Sequence, residues 1–551
     1  MKKISQLKLA LFLIAAIGLT AFAQNDNRQR VITSATPTPT ATPPCPPGRD
    51  CNLLKTVPAP TPTVSPTPVI QGGQTIFDLQ AKIRGTMARP ELRRGSIGAK
   101  IVALDTGKVV FEENAEKYFM PASNMKSFTI AAALEKLSPN FRFVTSVYAA
   151  SVPDASGTIK GDLTVYGRGD VSFSTAFYDS DYYKGLDNLV DRIVAAGVKR
   201  VEGNLVGDES YFSGGPLPPG WEWDDLQWYY GAEVSALPLN DNALDLSVKA
   251  GAVGEPCVVS LLPVNTVVRI INTCVTGARG TGNTLTIKKD LDQNVLEISG
   301  SLPAGGEGFY KPVTVSHPAE LFVALLKQRL EQKGVVVTGQ LRVIGAKEKA
   351  ARAVASQAAP VQITQIESPP FALIAAKTMK PSQNLYTETI LWALGEQLGN
   401  RPGGRATSSD RGISVVRNFL TEIGVAPDGI IQYDGSGLSR HNLVTPASLV
   451  TVYTYMAKQS RYSYAWLDSL TIGGIDGTLA NRFRGAKTKG NVRGKTGTID
   501  QVSALSGYVT TTGGERLVFS IIINGVDREG LRNSTIDQIV GHLANFDGRL
   551  N

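Results

Sequence analysis

Histidine is scarce in this chain: only His317, His441 and His542 occur, and none belongs to an H-E-x-x-H sequence. A zinc peptidase of that type is excluded. No G-x-S-x-G elbow is present either, so a Ser-His-Asp hydrolase has little to stand on. Beyond the N-terminal leader, no apolar run is long enough to span a bilayer. Charge of one sign is also modest. The whole chain carries +8, and +5 once the three leader lysines are removed, which is too little to argue for nucleic acid. Cysteine is limited to four residues, Cys45, Cys51, Cys257 and Cys274.

What is present begins with residues 1–23, which carry Lys2, Lys3 and Lys8, an apolar stretch from Leu9 to Leu19, and Ala21-Phe-Ala23 before Gln24. This reads as a secretory signal with an A-x-A cleavage site. No cysteine follows the cut, which argues against a lipoprotein, and the mature protein is expected to be soluble outside the cytoplasm, periplasmic or otherwise extracytoplasmic. Residues 24–71 are rich in proline and threonine and read as a stiff, extended linker. An even cysteine count in an exported chain points to two local disulfides, 45–51 and 257–274, with other pairings left open. Closing the 257–274 loop stabilises by roughly 3 kcal/mol on a chain-entropy argument.

Three short motifs carry the chemistry, and their order matters more than any single match: Ser123-Asn-Met-Lys126, Ser382-Gln-Asn384 and Lys495-Thr496-Gly497. S-x-x-K recurs as Ser5 to Lys8 and S-x-N as Ser138-Pro-Asn140, whereas K-T-G occurs once. Phe119-Met-Pro-Ala-Ser123 leads straight into an Ala/Leu-rich run with helical apolar spacing, which places Ser123 at a helix start. Unpaired N–H groups and the positive end of a helix dipole suit an oxyanion forming beside a nucleophilic hydroxyl. Lys126 lies one turn on, within reach of the Ser123 hydroxyl. Residues 491–499 read as a strand, followed by a strand over 503–510, a turn at 512–514 and a strand over 516–524. Lys495 on that strand can present a fixed positive charge to a carboxylate, and Gly497 permits close backbone approach.

About 480 residues follow the linker, more than one core usually organises. Ser123 and Ser382 must meet in one site although they lie far apart in the chain. The intervening region is Gly-rich with short alternating runs. An α/β host is therefore expected over 72–150 and 361–551, with β-rich domains inserted over 151–360. Within the host, 97–111 reads as a hairpin about Thr106-Gly107, and 534–546 as a closing helix.

The motif trio resembles that of penicillin-binding proteins and class A β-lactamases, whose second motif is S-D-N. More closely, the chain resembles the class C penicillin-binding proteins, the D-alanyl-D-alanine carboxypeptidase/endopeptidase family of S13 serine peptidases. Further family-like signatures are Gly167-Arg-Gly-Asp170, Gly220-Trp-Glu-Trp-Asp-Asp225, Asp434-Gly-Ser-Gly-Leu-Ser-Arg440 and Gly473-Gly-Ile-Asp-Gly-Thr478. One departure is Gln383, where the family usually has Asp; it bears on substrate tuning more than on activity.

The resemblance implies a transpeptidase-like fold, an antiparallel sheet with helices, and a role for each residue. Ser123 is the acylated nucleophile and Lys126 its base, held neutral by burial and by Lys495. Ser382 relays a proton toward the leaving amine. Asn384 holds the substrate amide and Lys126 together. Lys495 and Thr496, with Gly497 beside them, bind the terminal carboxylate, and the N–H groups of Ser123 and Thr498 form the oxyanion hole. Asp225, or Asp224 in its place, and Arg440 grip the charged end of a diaminopimelate side chain, with Tyr230 as a wall. Peptidoglycan stem peptides are the implied substrate and β-lactams the implied covalent inhibitors; no cofactor or metal is called for. Two other readings compete with this one: a β-lactamase of the same fold, and a wall-binding scaffold that has kept the fold without turnover.

Overall fold

The strand Arg516–Asn524 is apolar almost throughout, because both of its faces are covered. Val518 and Ile522 point into one core, while Leu517, Phe519, Ile521 and Ile523 point into another. This is the period-2 alternation of a strand between two layers. The computed structural model describes residues 73–353, 359–400 and 406–550. The expected signal (1–23), the linker (24–71) and the pair Cys45 and Cys51 lie outside the described residues.

Arg516–Asn524 sits in a six-stranded antiparallel sheet. Val109–Glu113 forms one edge, followed by Ser96–Ala103, Arg516–Asn524, Val502–Thr510, Arg493–Ile499 and the short Thr471–Ile472. Ser96–Ala103 and Val109–Glu113 are the expected hairpin, with a register shift between Ile101 and Val102. One face of the sheet is closed by the helices Ile76–Met87 and Glu529–Ala544, the second beginning earlier than its apolar spacing indicates. The opposite face meets a helical layer built around Lys126–Leu137, Asn384–Leu398 and Pro446–Lys458.

Two of those helices are buried on every side. From Lys126 to Leu134, and from Asn384 to Gln397, every residue is buried. Apolar composition all round produces such central helices. It also forces any polar side chain on them into a dry environment, which decides the behaviour of Lys126 and Glu388 described below.

A second core lies in the region between the first two motifs. Its five-stranded mixed sheet runs Leu341–Ile344, Leu205–Asp208, Leu163–Tyr166, Val144–Ala149 and Val361–Glu367. Val144–Ala149 and Val361–Glu367 pair with each other, so the sheet crosses the divisions expected at 150/151 and 360/361. The region is strand-rich, as expected, and the helices Lys184–Ala195 and Pro318–Gln332 also pack in this core. Cys257 and Cys274 form a disulfide with Cα atoms 5.3 Å apart. Among the described residues no helix is long and apolar enough to cross a membrane.

Candidate active site

Ser123 lies on the 3-10 turn Ala122–Met125, which runs directly into the helix Lys126–Leu137. Ala122, just before it, has φ 46°, a left-handed conformation that a side-chain-bearing residue adopts only where its surroundings enforce it. Two glycines do the enforcing. A Cβ on Gly437 would stand 1.9 Å from the Ala122 carbonyl oxygen, and one on Gly497 would stand 2.5 Å from that of Pro121 and 3.1 Å from the Ser123 nitrogen. The backbones of the 434–442 loop and of the Arg493–Ile499 strand therefore clamp the serine turn from two directions.

Lys126 Nζ makes three hydrogen bonds: 2.9 Å to Ser123 Oγ, 2.6 Å to Asn384 Oδ1 and 2.7 Å to the Ser436 carbonyl. Three acceptors match the three hydrogens of an ammonium. Burial pulls the Lys126 pKa down to about 7, against the opposing attraction of Asp434 and Glu388. Lys495 Nζ donates to Ser382 Oγ at 2.8 Å and to the Thr496 carbonyl at 2.9 Å. Burial first, and then the charge of Lys126, hold its pKa well below the ordinary lysine range. For Lys126 burial is the main cause, and repulsion between the two lysines is mutual.

Ser382 stands in the connection between the helices Phe371–Met379 and Asn384–Leu398 with φ 68°, a second strained residue at a polar centre. The first two motifs thus meet through Lys126 and Asn384, and the second and third through Ser382 and Lys495. Asn384 Nδ2 donates to the Tyr230 carbonyl at 2.9 Å, so its amide bridges Lys126 and the Trp221–Tyr230 segment. Thr496 Oγ1 donates to Thr478 Oγ1 at 2.7 Å.

Strand geometry settles what the edge beside Ser123 presents. Gly473 N donates to the Val492 carbonyl, so Val492 directs its backbone groups away from the strand Val502–Thr510. Main-chain groups alternate along a strand, and by that parity Gly494, Thr496 and Thr498 aim theirs the same way. Thr498, like Ser123, Ser382, Asn384 and Thr496, lines a cleft of about 780 Å³.

Asp225, Asp224, Tyr230 and Arg440 line the same cleft. Arg440 pairs with Glu222 at 2.8 Å and donates to the Asp500 carbonyl at 3.0 Å. Its closest acid is therefore Glu222, which the spacing of the Trp-rich segment does not distinguish from its neighbours. Burial, reinforced by Asp224 and Glu222, pushes the Asp225 pKa up to about 6, while Tyr230 and Arg440 act in the opposite direction.

Glu388 is marked by none of the motifs. It accepts from Gly435 N at 3.0 Å and from Ser436 N at 2.6 Å, and so anchors the two peptides just before the Ser436 carbonyl that receives Lys126. Burial, and then Asp434, drive its pKa upward. The available signal was an acid four residues after Asn384, on the same face of the buried helix. Asp434 accepts from Trp221 Nε1, Gly437 N, Ser439 N and Asn442 Nδ2, which fixes the loop carrying Ser436. Among the described residues there is no group of three or more His, Cys, Asp or Glu side chains able to hold a metal ion.

A serine hydrogen-bonded to a buried lysine, beside a sheet strand bearing a second one, belongs to the class of penicillin-binding and β-lactamase-like folds. The structure accordingly resembles crystal structures of penicillin binding protein 4 (dacB) from Haemophilus influenzae. One has a TM-score of 0.70 at 23% identity, covering 85% of this chain and 97% of the other. A second, complexed with a novel β-lactam, has a TM-score of 0.66 at 21% identity, covering 86% and 99%. The chain belongs to the D-Ala-D-Ala carboxypeptidase 3 (S13) family, whose model matches residues 79–546. It is 34% identical over 472 residues to a D-alanyl-D-alanine carboxypeptidase of Actinomadura sp. (strain R39), covering 84% of each chain.

Proposed function

We propose that this protein is a serine-type D-Ala-D-Ala carboxypeptidase, able to act as an endopeptidase by the same chemistry, and that it cuts peptidoglycan stem peptides through an acyl-enzyme on Ser123. The observation that carries this is the 2.9 Å hydrogen bond between Ser123 Oγ and a lysine whose pKa burial brings to about 7. Near neutral pH an appreciable fraction of such a lysine is a free amine, able to act as a base. In that state Nζ still donates to Asn384 and Ser436 while its lone pair faces the Ser123 hydroxyl.

Ser123 Oγ attacks the carbonyl carbon of the penultimate D-alanine as its proton passes to Lys126. The N–H groups of Ser123 and Thr498 stabilise the oxyanion. Collapse breaks the C–N bond, and the leaving amine receives a proton through Ser382. Water then hydrolyses the ester and restores Ser123. Lys495, Thr496 and Thr478 hold the terminal carboxylate, with Gly497 giving the backbone clearance. Asn384 orients Lys126 and the substrate amide. Asp225 and Arg440 receive the charged end of a diaminopimelate side chain, Arg440 being held in place by Glu222.

The catalytic domain is built from the segments on either side of an insertion between its first two motifs, the expected 72–150 and 361–551 less the strands Val144–Ala149 and Val361–Glu367, which go with the sheet of the insertion. The protein is exported, periplasmic or otherwise extracytoplasmic, and loses residues 1–23. β-Lactams act on it as covalent inhibitors, a reading supported by the β-lactam complex of the similar penicillin binding protein 4.

Intact-mass analysis after incubation with benzylpenicillin tests the proposal. A persistent adduct is expected on the wild type and none on Ser123→Ala. Hydrolysed drug without an adduct would make the protein a β-lactamase, and intact drug without an adduct would overturn the catalytic assignment.

A further inference from the structure

The middle residue of the second motif, Gln383, uses both ends of its amide. Its Oε1 accepts from Leu385 N at 3.1 Å, capping the helix Asn384–Leu398, while its Nε2 donates to Asp241 Oδ2 at 3.1 Å. Asp241 comes from the region between the first two motifs, and its backbone is unusual. Asn240, Asp241 and Asn242 have φ of 46°, 62° and 52°, three successive residues in the left-handed region. Such a run persists only where the surrounding structure holds it, and it is a recurrent mark of functional positions.

Three donors meet the Asp241 side chain. Oδ1 accepts from Ser174 Oγ at 2.7 Å and from Tyr386 OH at 2.6 Å, and Oδ2 accepts from Gln383. Tyr386 and Gln383 lie on and just before the helix that begins at Asn384. On either side of Gln383 stand Ser382, bonded to Lys495, and Asn384, bonded to Lys126. The strained 240–242 segment thus grips the centre of the tripeptide whose flanking side chains touch both lysines. The titratable groups facing Asp241 are Tyr386 on that helix, Tyr229 on the turn Tyr229–Gly231 and Asp245 on the strand Ala243–Lys249.

We propose that Asp241 is a positioning residue for the second motif, and that Gln383 occupies the place of the usual Asp because this chain sets a carboxylate opposite it. The inference rests on the proposed acyl-transfer function and deepens it. An acid at 383 would bring two carboxylates into hydrogen-bonding contact; an amide there supplies the donor that Asp241 needs. The departure at 383 and the strained segment at 240–242 are on this reading one device.

Gln383→Glu isolates the contact, since it keeps the oxygen that caps the helix and replaces only the group that donates to Asp241. Its acylation by benzylpenicillin is expected to fall at least about tenfold below wild type near pH 8, and to recover toward pH 5 as the two carboxyls share a proton. Its melting temperature should drop relative to wild type over the same pH range. Adding Asp241→Asn should restore both, because the amide oxygen then present at position 241 still accepts from Ser174 and Tyr386 while the amide nitrogen donates to the introduced glutamate.

Wild-type acylation by Gln383→Glu at pH 8, or a loss that Asp241→Asn does not reverse, would overturn the inference. Should Gln383→Glu alone fail to fold, recovery of folded, acylating protein in the double variant supports it, and failure there overturns it. If wild type itself forms no adduct, the proposed function falls, and the pH-dependent melting difference with its reversal still decides the Asp241 contact.

Discussion

At the scale of single residues, Lys126 concentrates the chemistry. All three of its acceptors are satisfied when it is charged, yet burial brings its pKa to about 7. The base is the neutral form, so protonation switches it off. The rate of acylation by benzylpenicillin should therefore fall about tenfold per pH unit well below pH 7 and level off above it, as measured by quenched mass spectrometry. A rate constant across pH 5 to 9 would assign the base to another group. Lys126 was legible in the sequence because the chemistry demands a definite side chain three residues after the serine. Two of its partners were less so. Ser436 acts through its carbonyl and Glu388 through backbone N–H groups, and main-chain atoms leave no trace in residue identity.

At the scale of elements, the decisive contact is the strand Arg493–Ile499 pressed on the serine turn at Gly497. A methyl group there meets the Pro121 carbonyl, and either the strand or the turn must shift. Gly497→Ala is expected to lower stability by about 1–3 kcal/mol and acylation by roughly a hundredfold, since small misplacements weigh heavily on oriented groups. Melting temperature and adduct formation measure the two effects separately; normal acylation would show that the clamp is slack. The strand, the hairpin and the closing helix could be read from alternation and apolar spacing, because each buries a regular face. The pairing of Val144–Ala149 with Val361–Glu367 could not, since partners so distant in sequence share no local pattern. The same limit hid the contact between Gln383 and Asp241 and left Glu222 indistinguishable from Asp224 and Asp225 as the mate of Arg440.

At the scale of the whole molecule, the disulfide and the site belong to separate parts of the structure. Among the described residues, none between Cys257 and Cys274 lines the cleft that contains Ser123. Replacing both cysteines by serine should lower stability by roughly 3 kcal/mol and leave the acylation rate of the folded protein within about twofold. Chemical denaturation and adduct kinetics check the two halves of that statement. The site, by contrast, draws on widely separated parts of the chain, from Ser123 to Thr498.

The sheet order gives that distribution a consequence during synthesis. Ser96–Ala103 pairs with Val109–Glu113 on one side, and its partner on the other is Arg516–Asn524. The hairpin and the serine helix leave the ribosome long before the strand that completes their sheet, and they must wait with an open, apolar edge. Contacts this non-local form late and slowly. A nascent chain thus carries its nucleophile and lysine base without the strand that bears Lys495, and acquires a working cleft only once its last quarter has been made.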